Sequence, residues 1–237
     1  MRKFVESTIL RRMTDLEKSH WWFREKRHLL GKELRRIGTP GRALDVGAAG
    51  GGNTAVLREY GWTPVAADLS ATAVEIALSR GLDAVQADVR DLPWEDGEFD
   101  LVTAFEVLEH VEDDGKAAAE CFRVLRAGGH AVFTVPADMK LWSSHDVAVN
   151  HVRRYEREEF RRLLVGAGFT VDSVWSWNVV LRPAAAWHRR RRAEGSDIDA
   201  MPHPVVNACL SLAIKAERYL PVRSLPGVSL IATARKR

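Results

Sequence analysis

Three acidic residues recur at the ends of short apolar runs: Asp45 in Ala43-Leu44-Asp45-Val46-Gly47, Asp68 in Val65-Ala66-Ala67-Asp68 and Asp88 in Gln86-Ala87-Asp88-Val89. The first runs into the glycine-rich stretch Gly47–Gly52, where backbone at positive φ lets a ligand approach closely. A helix opening just after such a turn offers free amide donors. The turn has no Walker Lys-Ser/Thr pair, which disfavours ATP and GTP. Asp45, just ahead of it, would repel a pyrophosphate and suits a ligand carrying positive charge. Asp68 can accept hydrogen bonds from both hydroxyls of a ribose. Asp88 can accept one from an adenine amino group while Val89 donates through its backbone. A single acid at a strand end is most simply a helix cap. Three in register at successive strand ends are hard to dismiss.

A second group lies in Trp142-Ser143-Ser144-His145-Asp146 and His151-Val152-Arg153-Arg154-Tyr155. Histidine is the side chain best poised to move a proton near neutral pH. His145, with a carboxylate beside it in sequence, is the leading candidate base. His110 and His151 are further candidates, and each has an alternative role in holding a loop by hydrogen bonds. Trp142 and Tyr155 are candidate substrate contacts. So are Trp21 and Trp22, which either dock an N-terminal helix or help close a ligand pocket. Cys121 and Cys209 lie in helical stretches and read as core residues; no Cys/His cluster has metal-ligand spacing, so no metal is expected.

These groups need elements that bring strand ends together. Strands are expected at Arg42–Val46, Thr63–Ala67, Leu82–Gln86, Phe99–Ala104, His130–Val135 and Phe169–Trp177. Helices are expected from the glycine turn to Tyr60 and at Ala71–Arg80, Asp113–Arg126 and Glu156–Gly168. The strands lack strict alternation, as happens when helices cover both faces of a parallel sheet. Repeated strand–helix units point to a doubly wound α/β fold with ligands at the carboxyl ends of its strands. Val228–Ala234 reads as a final strand, separated from the sixth by roughly 50 residues, far more than an ordinary loop. That insertion holds the run Arg189–Arg192, the polar stretch Glu194–Asp199 and an amphipathic helix from Val205 to about Leu220. The apolar side of this helix is expected to bury against the core or a homodimer partner; peripheral membrane contact is less favoured.

Together these motifs make residues 40–175 resemble the class I S-adenosylmethionine-dependent methyltransferases. Leu44-Asp45-Val46-Gly47-Ala48-Ala49-Gly50-Gly51 is similar to that family's cofactor loop, with Ala49 where the middle glycine usually stands. Phe105-Glu106-Val107-Leu108-Glu109-His110-Val111 and Arg126-Ala127-Gly128-Gly129-His130 are also similar. The resemblance implies a Rossmann-like, doubly wound seven-stranded sheet whose last strand is antiparallel and enters beside the fifth. One domain, 1–237, would then hold an N-terminal helical cap (1–38), a cofactor-binding core (40–178), a helical insertion (179–226) and the final strand (228–235). It further implies S-adenosyl-L-methionine as cofactor and S-adenosyl-L-homocysteine as its product. The cofactor site would comprise Asp45, Gly47, Ala49, Gly51, Asp68, Leu69, Asp88, Val89, Phe105 and Glu106. Ala49 is expected to tighten the turn slightly without loss of binding. Related sequences serve natural-product, quinone and cell-surface polysaccharide pathways.

With 237 residues, 46% hydrophobic and 28% charged, the chain is long enough for a full core and near the globular average. Thirty-five basic against 32 acidic residues give +3, too small an excess to imply nucleic acid. No stretch approaches the roughly 18 apolar residues of a membrane span, and charges interrupt any signal peptide. Two cysteines suit a reducing, cytoplasmic setting. The expected activity is methylation of a small molecule, most simply at a hydroxyl. A cyclase that retains the cofactor as scaffold is the runner-up, and a cofactor-bound partner subunit a third reading. A nucleic-acid methyltransferase is disfavoured because neither an Asn/Asp-Pro-Pro-aromatic motif nor a Pro-Cys pair is present.

Overall fold

The computed structural model describes residues 7–191 and 201–237. Its strands are β1 Arg42–Val46, β2 Thr63–Asp68, β3 Asp83–Gln86, β4 Phe99–Phe105, β5 Leu125–Pro136, β6 Thr170–Trp177 and β7 Ser229–Arg235. They form one sheet in the order β3-β2-β1-β4-β5-β7-β6. The first five strands pair in parallel, and β7 runs antiparallel between β5 and β6, as the resemblance implies. Strand order reverses between β1 and β4. In an open α/β sheet that reversal opens a crevice beyond the carboxyl ends of the strands.

Both faces of the sheet are covered, which is why the strands do not alternate. Leu44, Val102 and Phe133 point to one face and meet Ala117 and Cys121 of helix α5 (Asp114–Val124) and Phe160 and Leu164 of α7 (Arg157–Gly166). Their sequence neighbours Ala43, Leu101 and Val132 point to the other face. There they meet Leu30 and Leu34 of α2 (Trp21–Ile37) and Val56 and Leu57 of α3 (Gly52–Glu59). Helix α4 (Ala71–Ser79) starts where the Ser70 hydroxyl accepts from the Ala73 amide. Helix α6 (Ser144–Ala148) starts in a capping box formed by Ser143 and Asp146.

Three features differ from the sequence-based expectations. The N-terminal region is two helices, α1 (Ser7–Leu16) and α2, because His20 caps the second by accepting from the Trp22 amide. Strand β5 begins at Leu125, since Leu125 pairs with Phe99 before a register shift and Gly128 absorbs a φ of +77°. In the insertion, α8 (Arg182–Arg191) precedes α9 (Pro204–Glu217), which leans on α2 through buried Ile214. Val205, Val206 and Leu212 of α9 stay exposed, so only a narrow stripe of its apolar side is covered by this chain. Residues Glu194–Asp199 and Arg192 lie outside the described residues.

Candidate active site

The crevice holds a cavity of about 1350 Å³. That exceeds the roughly 300–1,000 Å³ of an ordinary single-ligand site and leaves room for two reactants. The glycine turn forms part of its wall. Gly47 sits at φ +63°, and a Cβ there would collide with Val107 Cγ2. Ala49 also takes a left-handed φ, +49°, which costs an alanine about 1–2 kcal/mol. Its amide donates to Asp68 Oδ2 at 2.9 Å, while the Ser70 amide donates to Oδ1 at 2.8 Å. The turn is thus pinned by Asp68. Burial raises the Asp68 pKa, and these backbone donors work against that rise. Helix α1 closes over the turn: Arg80 donates to the Gly50 carbonyl and pairs with Glu17 at 3.1 Å.

Of the residues singled out from sequence, Gly47, Ala49, Asp68, Leu69, Asp88, Val89, Phe105 and Glu106 line this cavity, as do Trp21, Trp22, His110, His145 and His151. Four do not. Asp45 is 1% exposed and accepts from the Thr54 and Thr103 hydroxyls at 2.6 and 2.7 Å, beneath the wall rather than on it. Gly51 starts α3 in the left-handed region, facing Leu82 and Ala77. Tyr155 is buried in the core and its hydroxyl donates to Asp114 Oδ2 at 2.8 Å. Trp142 is half-buried outside the cavity. Asp88 faces the cavity with its carboxylate already gripped by the Arg90 guanidinium at 2.8 and 3.0 Å.

The histidine wall also departs from expectation. Asp146, beside His145 in sequence, turns its carboxylate elsewhere. Oδ1 takes His151 Nδ1 and Arg154 Nε, both at 2.8 Å, and Oδ2 takes Arg154 Nη2 at 3.0 Å and the Ser143 amide at 2.9 Å. Successive residues on a helix point about 100° apart. The carboxylate that orients a histidine therefore serves His151, not His145. His110 is exposed, on the cavity side; the protein packed around its ring, with His151 adjacent, lowers its pKa to about 4. Burial likewise raises the Glu109 pKa, reinforced by nearby Glu106.

Three lining or adjacent groups escaped the sequence reading: Lys26, Glu109 and Arg154. Lys26 is 7% exposed, and its Nζ lies 4.1 Å from the Trp22 ring centre. Burial lowers its pKa against the pull of Glu106 and Glu109. The four-residue spacing of Trp22 and Lys26 on one helix face was the available signal. Trp22 also packs on Trp177, so the tryptophan pair both docks α2 and walls the cavity.

Comparison with known proteins agrees with this architecture. Residues 44–133 match the family model for a methyltransferase domain. A Mycobacterium tuberculosis protein named as a probable S-adenosylmethionine-dependent methyltransferase is 29% identical over 163 residues, covering 67% of this chain and 59% of that protein. A ubiquinone biosynthesis O-methyltransferase of Xanthomonas oryzae is 39% identical over 95 residues, 37% of this chain and 40% of its own. The Haloferax volcanii complex of the Trm112 activator with a methyltransferase gives a TM-score of 0.64 at 19% identity, covering 94% and 93% of the two chains. Residues 44–133 thus match a methyltransferase domain, and the chain is similar to S-adenosylmethionine-dependent methyltransferases over about two thirds of its length. It spans less than two thirds of the length of the curated relatives it first matches.

The residues at the turn fit that cofactor. Each Asp68 oxygen holds one backbone N–H, which leaves lone pairs for ribose hydroxyls. Asp68 and Glu106 place carboxylates on the cavity wall, while the Asp88 carboxylate is paired with Arg90. Glu106 is held at φ +59°, with its Oε1 accepting from the Thr134 hydroxyl at 2.9 Å. Non-glycine residues held in this region cluster at ligand sites.

Proposed function

We propose that this chain methylates a small-molecule acceptor, and does so at a hydroxyl oxygen. The observation that supports it is one continuous cavity lined both by the Asp68-pinned glycine turn and by His110, His145 and His151. When bound, S-adenosylmethionine supplies an electrophilic methyl group on a sulfonium. The chain's own work is alignment, which can contribute roughly 7–11 kcal/mol. Asp68 and the turn amides hold the cofactor, Glu106 favours its charge, and Trp21 and Trp22 exclude water. The histidine wall receives the acceptor's proton, worth about 10²–10⁴-fold. The ubiquinone O-methyltransferase relative supports oxygen as the accepting atom. Both cysteines are free, which supports a reducing, cytoplasmic setting. Among the described residues, no helix is long and apolar enough to cross a membrane.

The test is a thermal-shift panel of S-adenosylmethionine, S-adenosylhomocysteine, NAD and ATP, followed by labelled-methyl transfer to hydroxylated acceptors. Stabilisation by the first two and a product one methylene heavier are expected. Stabilisation by NAD or ATP instead would overturn the cofactor assignment. A product of unchanged mass would favour the cyclase reading.

A further inference from the structure

Glu109 has no part in the proposed transfer, yet its side chain is 0% exposed and neither carboxylate oxygen receives a hydrogen bond. A carboxyl group left in that state is costly. It lies against two imidazoles. His151 Nε2 is 3.7 Å from Glu109 Oε1, and one ligand-type atom from each of Glu109, His110 and His151 lies within 4.8 Å of the others. The second nitrogen of each ring is already engaged. His151 Nδ1 meets Asp146 Oδ1 at 2.8 Å, and His110 Nδ1 meets the Asn150 carbonyl oxygen at 3.3 Å. Metal-bound histidines are held in this way: one nitrogen donates to a carboxylate or carbonyl, which fixes the tautomer and aims the other lone pair. Two ligands on one tetrahedral Zn²⁺ stand about 3.4 Å apart, given bonds of about 2.0–2.1 Å. The 3.7 Å separation needs only a small closure.

We propose that Glu109, His110 and His151 bind a divalent transition-metal ion on the cavity wall. Two imidazoles and one carboxylate suit Zn²⁺ or a similar first-row ion better than Mg²⁺ or Ca²⁺, which take mainly oxygen ligands. Three protein ligands leave a coordination position open. Because His110 and His151 line the cavity, that position is accessible from it, where an acceptor oxygen or a water can bind. Metal binding here rests on side-chain geometry; an ion held by His110 and His151 would leave His145 as the wall's histidine for the acceptor's proton, and metal stoichiometry is read without reference to methyl transfer.

The experiment uses the full chain, stripped with a chelator and dialysed against Zn²⁺, with bound metal counted by mass spectrometry and Co²⁺ as a spectroscopic probe. One Zn²⁺ per chain is expected, with a Co²⁺ absorption band typical of a tetrahedral nitrogen and oxygen site. Glu109→Gln and His151→Ala should each weaken binding roughly 100-fold or more, since a lost outer-shell contact alone costs about 10–100-fold. Glu109→Gln preserves volume and removes a buried charge, so it keeps the fold; circular dichroism melts verify this. The proposal is overturned if wild type retains no stoichiometric metal. It is equally overturned if Glu109→Gln and a His110→Ala/His151→Ala double variant bind as wild type does.

Discussion

Gly47 offers a sharp test of how the glycine turn is built. An added Cβ would collide with Val107 Cγ2, while Val107 Cγ1 and Cβ stand at 3.4 and 3.5 Å, ordinary contact. Forcing a methyl into such a space costs about 1–3 kcal/mol. An alanine at φ +63° adds about 1–2 kcal/mol more. Gly47→Ala should therefore destabilise the chain by roughly 2–5 kcal/mol, offset slightly by a less flexible unfolded state. Val107→Ala alone removes two methyl groups from a buried site and should cost about 1.6 kcal/mol. It also removes both atoms nearest the intruding methyl. The double variant should thus be more stable than the sum of the singles by about 1–3 kcal/mol, leaving only the backbone part of the Gly47 cost. Urea unfolding of all four proteins measures the cycle, and calorimetry with S-adenosylmethionine reports whether the turn still receives its ligand. A Gly47→Ala protein as stable as wild type would refute the reasoning. So would a cycle that adds within about 0.5 kcal/mol.

Two further outcomes follow from buried ionisable groups. Burial lifts the Asp45 pKa from 3.8 to about 6 despite its two threonine donors. The folded state then binds more protons than the unfolded one between those values, so this group's contribution falls as pH rises through them. Asp45→Asn has no such slope. Its stability relative to wild type should grow by up to about 3 kcal/mol from about pH 4 to about pH 7, and a flat difference in urea midpoints would be incompatible with the burial described. Cys121 is fully buried with its thiol pushed up to about 12, whereas Cys209 is exposed. A thiol reagent should modify Cys209 alone in the native chain and both after denaturation; rapid native labelling of Cys121 would contradict the packing of α5.

What could be read in advance was what local rules determine. The run Arg42–Val46 into glycines, the acid at the end of β2 and the helix after it follow from pattern and turn chemistry, and the structure has them in those places. Partner choice across the fold was not readable. Tyr155 looked like a cavity residue because it follows the histidine segment, yet its hydroxyl reaches Asp114 at the start of α5. His145 looked paired because its neighbour is acidic, but the α6 helical turn and Arg154 direct that acid to His151. Glu109 and Lys26 were given no role in the sequence reading, and only the assembled fold shows both to be buried.

Asp45 shows the same division in one residue. Its charge suggested direct contact with a cationic ligand, whereas Asp68, Asp88 and Glu106 are the acidic residues of this group that line the cavity. The Asp45 side chain itself links β1 to Thr103 of β4 and Thr54 of α3. Those are the two strands flanking the reversal in strand order and the helix that opens from the glycine turn. A carboxylate accepting from both hydroxyls fixes the spacing of β1, β4 and α3, and so the width of the crevice between them. An amide there accepts from one hydroxyl and donates to the other, so Asp45→Asn keeps two hydrogen bonds across that spacing while removing the field beneath the ligand. A structural change at the turn in Asp45→Asn would therefore point to charge, and an unchanged turn to hydrogen bonding, as what holds the crevice open.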